Sequence, residues 1–260
     1  MRFCANVSIL FGDAPFLERF ARAAAAGFGA VEFWWPAGED PGAVADAVAA
    51  AALQVPLFNF DAGDMPAGDR GLLADPDRVA QFRANVPVAL DLARRVGCPR
   101  LNALVGLERP GATRAEQLAL AAEQVRWAAD EAAGHGIDVM IEPVNTTDNG
   151  PVLLHTTRQG LEFIALVDRP NVRLQYDVFH MQRMEGDLVA TLTEHLPAIG
   201  HVQIADAPGR GEPGTGEINF PFVLGALDAL GYDGWVGLEY RPTTSTTEQS
   251  LGWMRALEEA

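Results

Sequence analysis

Eight short apolar runs typical of β-strands alternate with Ala-rich, helix-compatible segments along the whole chain. The runs are Arg2–Leu10, Ala30–Trp35, Val55–Phe60, Arg100–Val105, Asp138–Pro143, Val172–Val178, His201–Ala205 and Trp235–Tyr240. The segments between them include Asp13–Ala26, Pro41–Leu53, Asp77–Val96, Arg114–Ala133 and Phe220–Leu230. Strands that alternate with helices form parallel βαβ units. Eight such units in 260 residues predict one α/β domain over residues 1–260, a (β/α)8 TIM barrel, a fold of typically about 250 residues.

An open, doubly wound sheet is the alternative arrangement of such units. That fold would place a Gly-rich dinucleotide-binding turn directly after the first strand. The segment Leu10–Pro15 has the sequence Leu-Phe-Gly-Asp-Ala-Pro, which contains no GxGxxG motif. No linker or low-complexity tract suggests a second domain either. The sequence therefore favours the single barrel.

The charged residues exclude several classes of protein. The chain has 19 basic and 35 acidic residues, and its net charge of -16 would repel nucleic acids and anionic membranes. Every basic residue is Arg, so lysine-dependent aldolases, PLP enzymes and P-loop NTPases are excluded. The two cysteines, Cys4 and Cys98, form neither a disulfide framework nor a zinc motif, and no apolar run is long enough to span a membrane. We expect a cytoplasmic protein with a small-molecule substrate.

Four polar residues follow the apolar part of consecutive predicted strands. They are Glu142, Asp177, Gln203 and Glu239. The active site of a TIM barrel lies at the carboxyl ends of its strands, so these side chains should meet in one place. Each alone could be an ordinary strand-end residue, solvated or paired with an Arg. Three carboxylates in one barrel mouth would repel one another unless a cation neutralised them, and their oxygens suit a hard divalent metal such as Mg²⁺ or Mn²⁺.

Further polar residues are predicted to lie near the same mouth. His180 follows Asp177 by three residues, and either a binding role or a capping role suits it. His201 lies on the same strand face as Gln203. It could contact the ligands of the site or simply pack inside the barrel, and the packing role is favoured. The Gly/Pro-rich loop 206–217 carries Arg210, which could bind a carboxylate or remain solvated.

Other residues at strand ends carry weaker signals. Trp34 and Trp35 could form the wall of a small pocket, although large aromatic residues at such positions are more often plain packing. No role is assigned to the remaining polar strand ends, which are Asn6, Glu32, Asn59 and Asn102.

Several motifs resemble the hydroxypyruvate isomerase family of the xylose-isomerase-like barrels. The resemblance extends over nearly the whole chain and is densest at Arg2–Gly12, Ile141–Asn145, Gln175–Gly186, His201–Asp206, Gly214–Asn219 and Gly234–Pro242. It implies a metal-assisted isomerase that converts hydroxypyruvate to tartronate semialdehyde. By that resemblance Glu142, Asp177, Gln203 and Glu239 surround the metal and the two glutamates form the acid/base pair.

Two related groups share much of this pattern. The 2-oxo-tetronate isomerases are similar nearly throughout, so the resemblance leaves the substrate length open. Ketose 3-epimerases are similar at Glu142, Asp177, His180, Arg210 and Glu239 but have His where Gln203 stands. That difference fits the hydroxypyruvate isomerase group.

The implied reaction needs a proton removed from one carbon and returned to its neighbour through an enediol. Glu142 and Glu239 are the predicted proton carriers, while His180 and Arg210 are predicted to bind substrate oxygens, Arg210 those of the carboxylate. The sequence does not decide which glutamate removes the proton, and it is compatible with a homo-oligomer without fixing the oligomeric state.

Three other functions are alternatives for a barrel with this set of residues. A non-catalytic sugar-acid-binding barrel would not need the paired glutamates. A phosphodiesterase or abasic-site endonuclease of similar fold would need several zinc-binding histidines and a basic face, whereas the chain has five His and a negative charge. A dehydratase acting on an inosose-type ketone stays open, because the same metal and base can expel a β-hydroxyl.

Overall fold

A ring of parallel strands forms the centre of the molecule. The computed structural model describes residues 1–258. Its strands are β1 Arg2–Asn6, β2 Val31–Glu32, β3 Phe58–Asn59, β4 Arg100–Asn102, β5 Asp138–Ile141, β6 Val172–Asp177, β7 Ile199–Ile204 and β8 Trp235–Leu238. They pair in the order β2-β1-β8-β7-β6-β5-β4-β3. Parallel bridges Ala30–Gln54 and Phe33–Phe58 join the two outer strands, so the predicted (β/α)8 barrel is confirmed.

Helices connect the strands on the outside of the barrel. They are α1 Phe16–Ala25, α2 Pro41–Ala50, α3 Val79–Val96, α4 Arg114–Ala133, α5 Thr146–Asn149, α6 Thr157–Val167, α7 Val178–Met184, α8 Leu188–His195, α9 Phe220–Ala229, α10 Thr247–Ser250 and α11 Gly252–Glu258. Thr113 and Glu116 form a capping box at the start of α4. Gly97 ends α3 with a φ of 67°, a left-handed conformation that favours glycine.

Seven of the eight strands are shorter than the sequence predicts, whereas β7 begins at Ile199, two residues before its predicted start at His201. The first predicted strand runs to Leu10, but β1 ends at Asn6 because the N–H groups of Ile9 and Leu10 donate to the Asn6 carbonyl and form a turn. Apolar residues continue past the strand ends because the first residues of the loops are also buried. Apolar patterning therefore marks burial, and the turn hydrogen bonds set where the strand stops.

Aromatic packing supports the part of the barrel with the fewest strand hydrogen bonds. The rings of Phe33 and Phe58 stack across the junction between β2 and β3 at 5.1 Å. Phe16 and Phe20 of α1 contact the Phe33 ring edge-on, with centroids 6.1 and 5.8 Å away. Such pairs contribute about 1 kcal/mol each beyond the area they bury. They hold the β2–β3 junction closed below the mouth of the barrel.

The helices within residues 1–258 differ from membrane-spanning helices. None of them combines the length and the hydropathy that a membrane-spanning helix needs.

Candidate active site

Three acidic side chains meet at the carboxyl ends of neighbouring strands, as the sequence predicts. Asp177 is the last residue of β6, while Glu142 and Glu239 directly follow β5 and β8. All three are buried: 1% of the surface of Asp177, 6% of that of Glu142 and 4% of that of Glu239 is exposed. Glu142, Asp177 and His180 each offer a ligand atom within 4.8 Å of the others. Parallel strands bring these groups together because their carboxyl ends all lie at one mouth.

Arg210 is the cation that offsets these acids in the structure. Its Nη2 lies 2.6 Å from Glu239 Oε2 and 3.6 Å from Asp177 Oδ2. Its guanidinium also lies over the Phe179 ring, 5.2 Å from the centroid. The Arg210 side chain therefore points into the barrel mouth, and the alternative of a solvated surface Arg does not apply.

The loop that carries Arg210 is held by one buried carboxylate. Asp206 accepts the backbone N–H groups of Gly214, Gly216 and Ile218 at 2.8, 2.8 and 3.1 Å. A side chain at Gly216 would place its Cβ 1.9 Å from the Ala207 carbonyl oxygen, so the loop closes on itself only with glycine there. This folding fixes the position from which Arg210 reaches the acids.

Burial and mutual repulsion change the acidity of the three carboxyl groups. Burial, with repulsion from Glu239 and Asp177, raises the pKa of Glu142 well above its ordinary value. Burial raises the pKa of Glu239 to about 7 against the opposing effect of Arg210, and burial also raises the pKa of Asp177. A carboxylate with a raised pKa is a stronger base, so the site favours proton transfer from a carbon acid.

His180 is a neutral hydrogen-bond donor facing the acids. Burial, with the nearby positive charges of Arg210 and Arg183, lowers its pKa well below the ordinary value. Its Nδ1 accepts the backbone N–H of Asn145 at 3.2 Å, which assigns the proton of the neutral ring to Nε2. Nε2 lies 3.5 Å from Asp177 Oδ2 and 4.0 Å from Glu142 Oε1. An N–H there suits a substrate oxygen better than a metal ion, which would need Nε2 as an acceptor.

The oxygen atoms at the mouth fit a divalent cation. Asp177 Oδ1 accepts the Phe179 N–H at 2.8 Å, but Asp177 Oδ2 is buried and has no hydrogen-bond partner within the described residues. A buried anionic oxygen without a partner is costly, and a cation would satisfy it. With carboxylates from Glu142 and Glu239 close by, the donor set is of the hard, oxygen-rich kind that Mg²⁺ and Mn²⁺ prefer.

Gln203 lies beside Asp177 but is bonded to other neighbours. The two residues pair in the register of β6 and β7. The amide oxygen of Gln203 accepts from Gln175 Nε2 at 2.6 Å, and its amide nitrogen donates to Glu32 Oε1 at 2.6 Å. The oxygen retains a second lone pair, so ligation by Gln203 stays a prediction.

Residues without an assigned role in the sequence hold the two glutamates in place. Asn102 donates to Glu142 Oε2 at 2.7 Å. Asn6 and the Trp34 indole donate to Glu239 Oε1 at 3.1 and 2.6 Å. The sequence marks these donors only as polar or aromatic residues at strand ends. Each glutamate follows a different strand from its donor, so the sequence does not show which residues pair.

A second buried carboxylate, Glu32, forms the floor below the site. Besides Gln203, it accepts from Asn6 Nδ2 at 3.2 Å and lies 2.7 Å from His201 Nε2. The sequence favours a packing role for His201, but packing alone does not describe it, because its ring is bonded to the carboxylate that holds Gln203. The alternative of a partner to the site describes it better.

One cavity contains the predicted catalytic and substrate-binding side chains together. It is lined by Trp34, Asn59, Met65, Arg70, Leu104, Glu142, Val144, Asn149, His180, Arg210 and Glu239. Trp34, Asn59 and Met65 also line an adjoining cleft of about 270 Å³, to which Trp35 belongs. The structure therefore joins four of the predicted site residues in one cavity, with Asp177 buried next to it.

The chain is similar to known proteins in its sequence family, its sequence and its structure. A family model described as "Xylose isomerase-like TIM barrel" matches residues 20–257. The chain is 44% identical to the hydroxypyruvate isomerase of Escherichia coli K12, over 98% of each chain. It is 41% identical to the 2-oxo-tetronate isomerase of Cupriavidus necator, over 98% of this chain and 97% of that one.

The fold is also close to that of a solved structure. A Brucella melitensis protein titled AP endonuclease, family 2, superposes with a TM-score of 0.92 at 41% identity, over 98% of each chain. The match of the family model and these near full-length similarities agree with the resemblance found in the sequence motifs. The chain belongs to the xylose isomerase-like TIM barrel family, and its curated relatives include hydroxypyruvate isomerases and 2-oxo-tetronate isomerases.

Proposed function

We propose that this protein is an isomerase that interconverts hydroxypyruvate and tartronate semialdehyde through an enediol, with the help of a divalent cation. The observation that carries the proposal is the pair of buried glutamates, Glu142 and Glu239, beside an Asp177 oxygen that has no hydrogen-bond partner in the described structure. The names of the relatives supply the substrate class. Membership of the family alone would not identify the substrate class, because one barrel fold supports many reactions.

The proposed chemistry is a proton transfer between adjacent carbons. One glutamate removes a proton from C3 of hydroxypyruvate, next to the C2 ketone, and the electron pair forms the C2–C3 double bond of the enediol. The other glutamate returns a proton to C2 while the hydroxyl proton moves from O3 to O2, so that C3 becomes the aldehyde and C2 carries the hydroxyl. Both carboxylates are suited to this by their burial, since a carboxylate removed from water is a stronger base toward carbon than a solvated one.

Other residues would bind and orient the substrate. Glu142, Asp177, Gln203 and Glu239 are the proposed ligands of the cation, which when bound supplies a Lewis acid for the carbonyl and neighbouring hydroxyl oxygens. His180 would donate its Nε2–H to a substrate oxygen. Arg210 is placed beside Glu239, where its positive charge offsets the negative charge that develops during reaction.

A second candidate substrate is one carbon longer. Relatives at 41% and 40% identity are named 2-oxo-tetronate isomerase, and the same proton transfer applies to that substrate. We also propose Mg²⁺ or Mn²⁺ as the cation, because both prefer oxygen ligands. The two free, buried cysteines, Cys4 and Cys98, support a reducing compartment such as the cytoplasm.

Analysis of the product by NMR tests this proposal. Incubation with hydroxypyruvate and Mg²⁺ or Mn²⁺ should give the aldehyde of the same elemental composition, and 2-oxo-tetronate should be tested in parallel. Formation of a product that has lost water would indicate the dehydratase instead. If neither keto acid is converted under metal-replete conditions, the proposal is wrong.

A further inference from the structure

Arg70 has unused hydrogen-bond donors at the edge of the catalytic cavity. Its Nε donates to Asn149 Oδ1 at 2.7 Å, and its Nη1 donates to the carbonyls of Met65 and Asp69 at 3.0 and 2.6 Å. A guanidinium has five N–H groups, and these bonds use three of them. Within residues 1–258, no hydrogen bond of Nη2 is found. Both N–H groups of Nη2 are therefore free for a ligand.

The charge of Arg70 is also unpaired within the described part of the chain. Among the described side chains, no carboxylate lies within 4.0 Å of its guanidinium, although acids are close by in sequence. Those acids have other partners, because Asp69 pairs with Arg78 at 3.1 Å and Asp75 pairs with Arg109 at 2.6 Å. Arg70 thus differs from Arg210, whose charge is engaged by Glu239 and Asp177.

The position of Arg70 relative to the reacting groups suits an anionic substrate. Arg70 lines the same cavity as Glu142, Glu239 and His180. Apolar side chains also line this cavity, which weakens competition from water and strengthens an ion pair formed inside it. A carboxylate group of the substrate could therefore pair with Arg70 without displacing a protein carboxylate.

The loop around Arg70 is fixed before any substrate binds. Gly71 has a φ of 119°, and a Cβ there would lie 2.1 Å from the Leu104 carbonyl oxygen. Asn149, which receives the Arg70 Nε–H, donates to the carbonyl of Asn145, whose N–H in turn donates to His180. Arg70 is therefore connected through two residues to a predicted substrate-binding histidine. Pre-positioning of this kind lowers the entropy lost when a ligand binds.

We propose that Arg70 binds the carboxylate of the substrate through Nη2 and thereby selects 2-oxo acids over uncharged ketoses. The inference rests on the proposed isomerase function and adds the residue that sets the substrate class. Arg210 would have to give up its 2.6 Å contact with Glu239 to bind the same group. We therefore assign Arg210 to the reacting end of the substrate. The experiment below also tests the earlier expectation that Arg210 binds the carboxylate.

The test compares two substrates that differ only in the carboxylate. Dihydroxyacetone has a CH2OH group where hydroxypyruvate has the carboxylate. In Arg70→Met, kcat/KM for hydroxypyruvate should fall about 100-fold, mainly through KM, because one partner of a desolvated charge pair is lost. For dihydroxyacetone the change should stay within about threefold, since a neutral group gains little from the charge of the half-buried Arg70. Arg70→Lys, which keeps the charge, should recover part of the loss.

The control is Arg158→Ala, which removes an exposed arginine of α6 that pairs with Glu162 outside the cavity. It should leave the preference for hydroxypyruvate unchanged. A parallel loss on both substrates in Arg70→Met, or an unchanged preference, would overturn the assignment. Retention of the preference in Arg70→Met together with its loss in Arg210→Ala would place the carboxylate on Arg210.

Binding of pyruvate, which cannot form the enediol with an adjacent hydroxyl, separates this inference from the proposed function. Calorimetry on metal-loaded protein should show pyruvate binding about 100-fold more weakly to Arg70→Met than to wild type. This result is expected even if the wild type turns over neither keto acid, an outcome that would refute the isomerase proposal alone. Equal pyruvate affinity in both proteins would refute the role of Arg70 alone.

Discussion

Replacing Glu142 or Glu239 with Gln is expected to lower the isomerisation rate by roughly two to four orders of magnitude, the usual contribution of a positioned general base. Glutamine has nearly the same shape as glutamate and keeps an oxygen that can contact a cation, but it cannot accept and return a proton. Each variant should therefore keep much of its metal while losing turnover. The measurement is single-turnover conversion of hydroxypyruvate by protein whose metal content has been confirmed.

A matched surface change controls for the general effect of removing a negative charge. Glu131 is exposed near the end of α4 and does not line the catalytic cavity, so Glu131→Gln should turn over like the wild type. Hydrogen-bond donors to the glutamates, such as Asn102 and Trp34, remain in the Gln variants. Near-wild-type turnover in Glu142→Gln or Glu239→Gln would remove that residue from proton transfer and leave it a ligand.

Removal of divalent metal is expected to abolish activity, and Mg²⁺ or Mn²⁺ should restore it. Among the described residues three buried carboxyl groups share the nearby positive charge of Arg210, and their mutual repulsion opposes ionisation of all three unless a metal adds positive charge. Without the metal the carbonyl of the substrate is not polarised, and the carbon proton is much less acidic. The measurement is turnover after exhaustive dialysis against EDTA, followed by titration with each metal. Full activity in protein shown to be metal-free would contradict the account.

A comparison of ligand variants refines this prediction. Asp177→Asn should weaken metal binding more than Gln203→Ala, because a carboxylate contributes charge as well as an oxygen whereas an amide contributes only the oxygen. Asp177 Oδ2 is also a fully buried carboxylate oxygen that lacks a hydrogen-bond partner in the described structure. Calorimetric titration with Mn²⁺ measures both affinities. The reverse order of affinities would place the ion closer to Gln203 than to Asp177.

The barrel and its acidic mouth could be predicted from the sequence because both depend on local patterns. Eight apolar runs at regular spacing specify the parallel units, and a polar residue at the end of such a run must lie at the carboxyl end of a strand. Glu142, Asp177 and Glu239 all meet there. Strand ends were less predictable, since Val7 and Leu10 are as buried as the strand residues before them.

The supporting contacts could not be predicted because they join residues from distant parts of the chain. Glu32 bonds to Gln203 and lies against His201 only once β2 and β7 have taken their places around the barrel. Arg70 lies in a loop without periodicity, and nothing in its local sequence distinguishes it from the arginines that pair with Asp69 or Asp75. Its importance depends on which neighbours already have partners, and only the folded structure contains that information.

The fate of the hydrogen at C3 tests most directly the claim that two glutamates carry a proton through an enediol. Hydroxypyruvate deuterated at both C3 positions should be turned over in ordinary water, and the aldehyde should be analysed by NMR. We predict that C3 of the product keeps one deuterium and that C2 carries hydrogen from the solvent. Quantitative transfer of deuterium from C3 to C2 would contradict the account, because it would indicate either a hydride shift or one glutamate that returns the same deuteron, and in neither case do Glu142 and Glu239 divide the transfer between them.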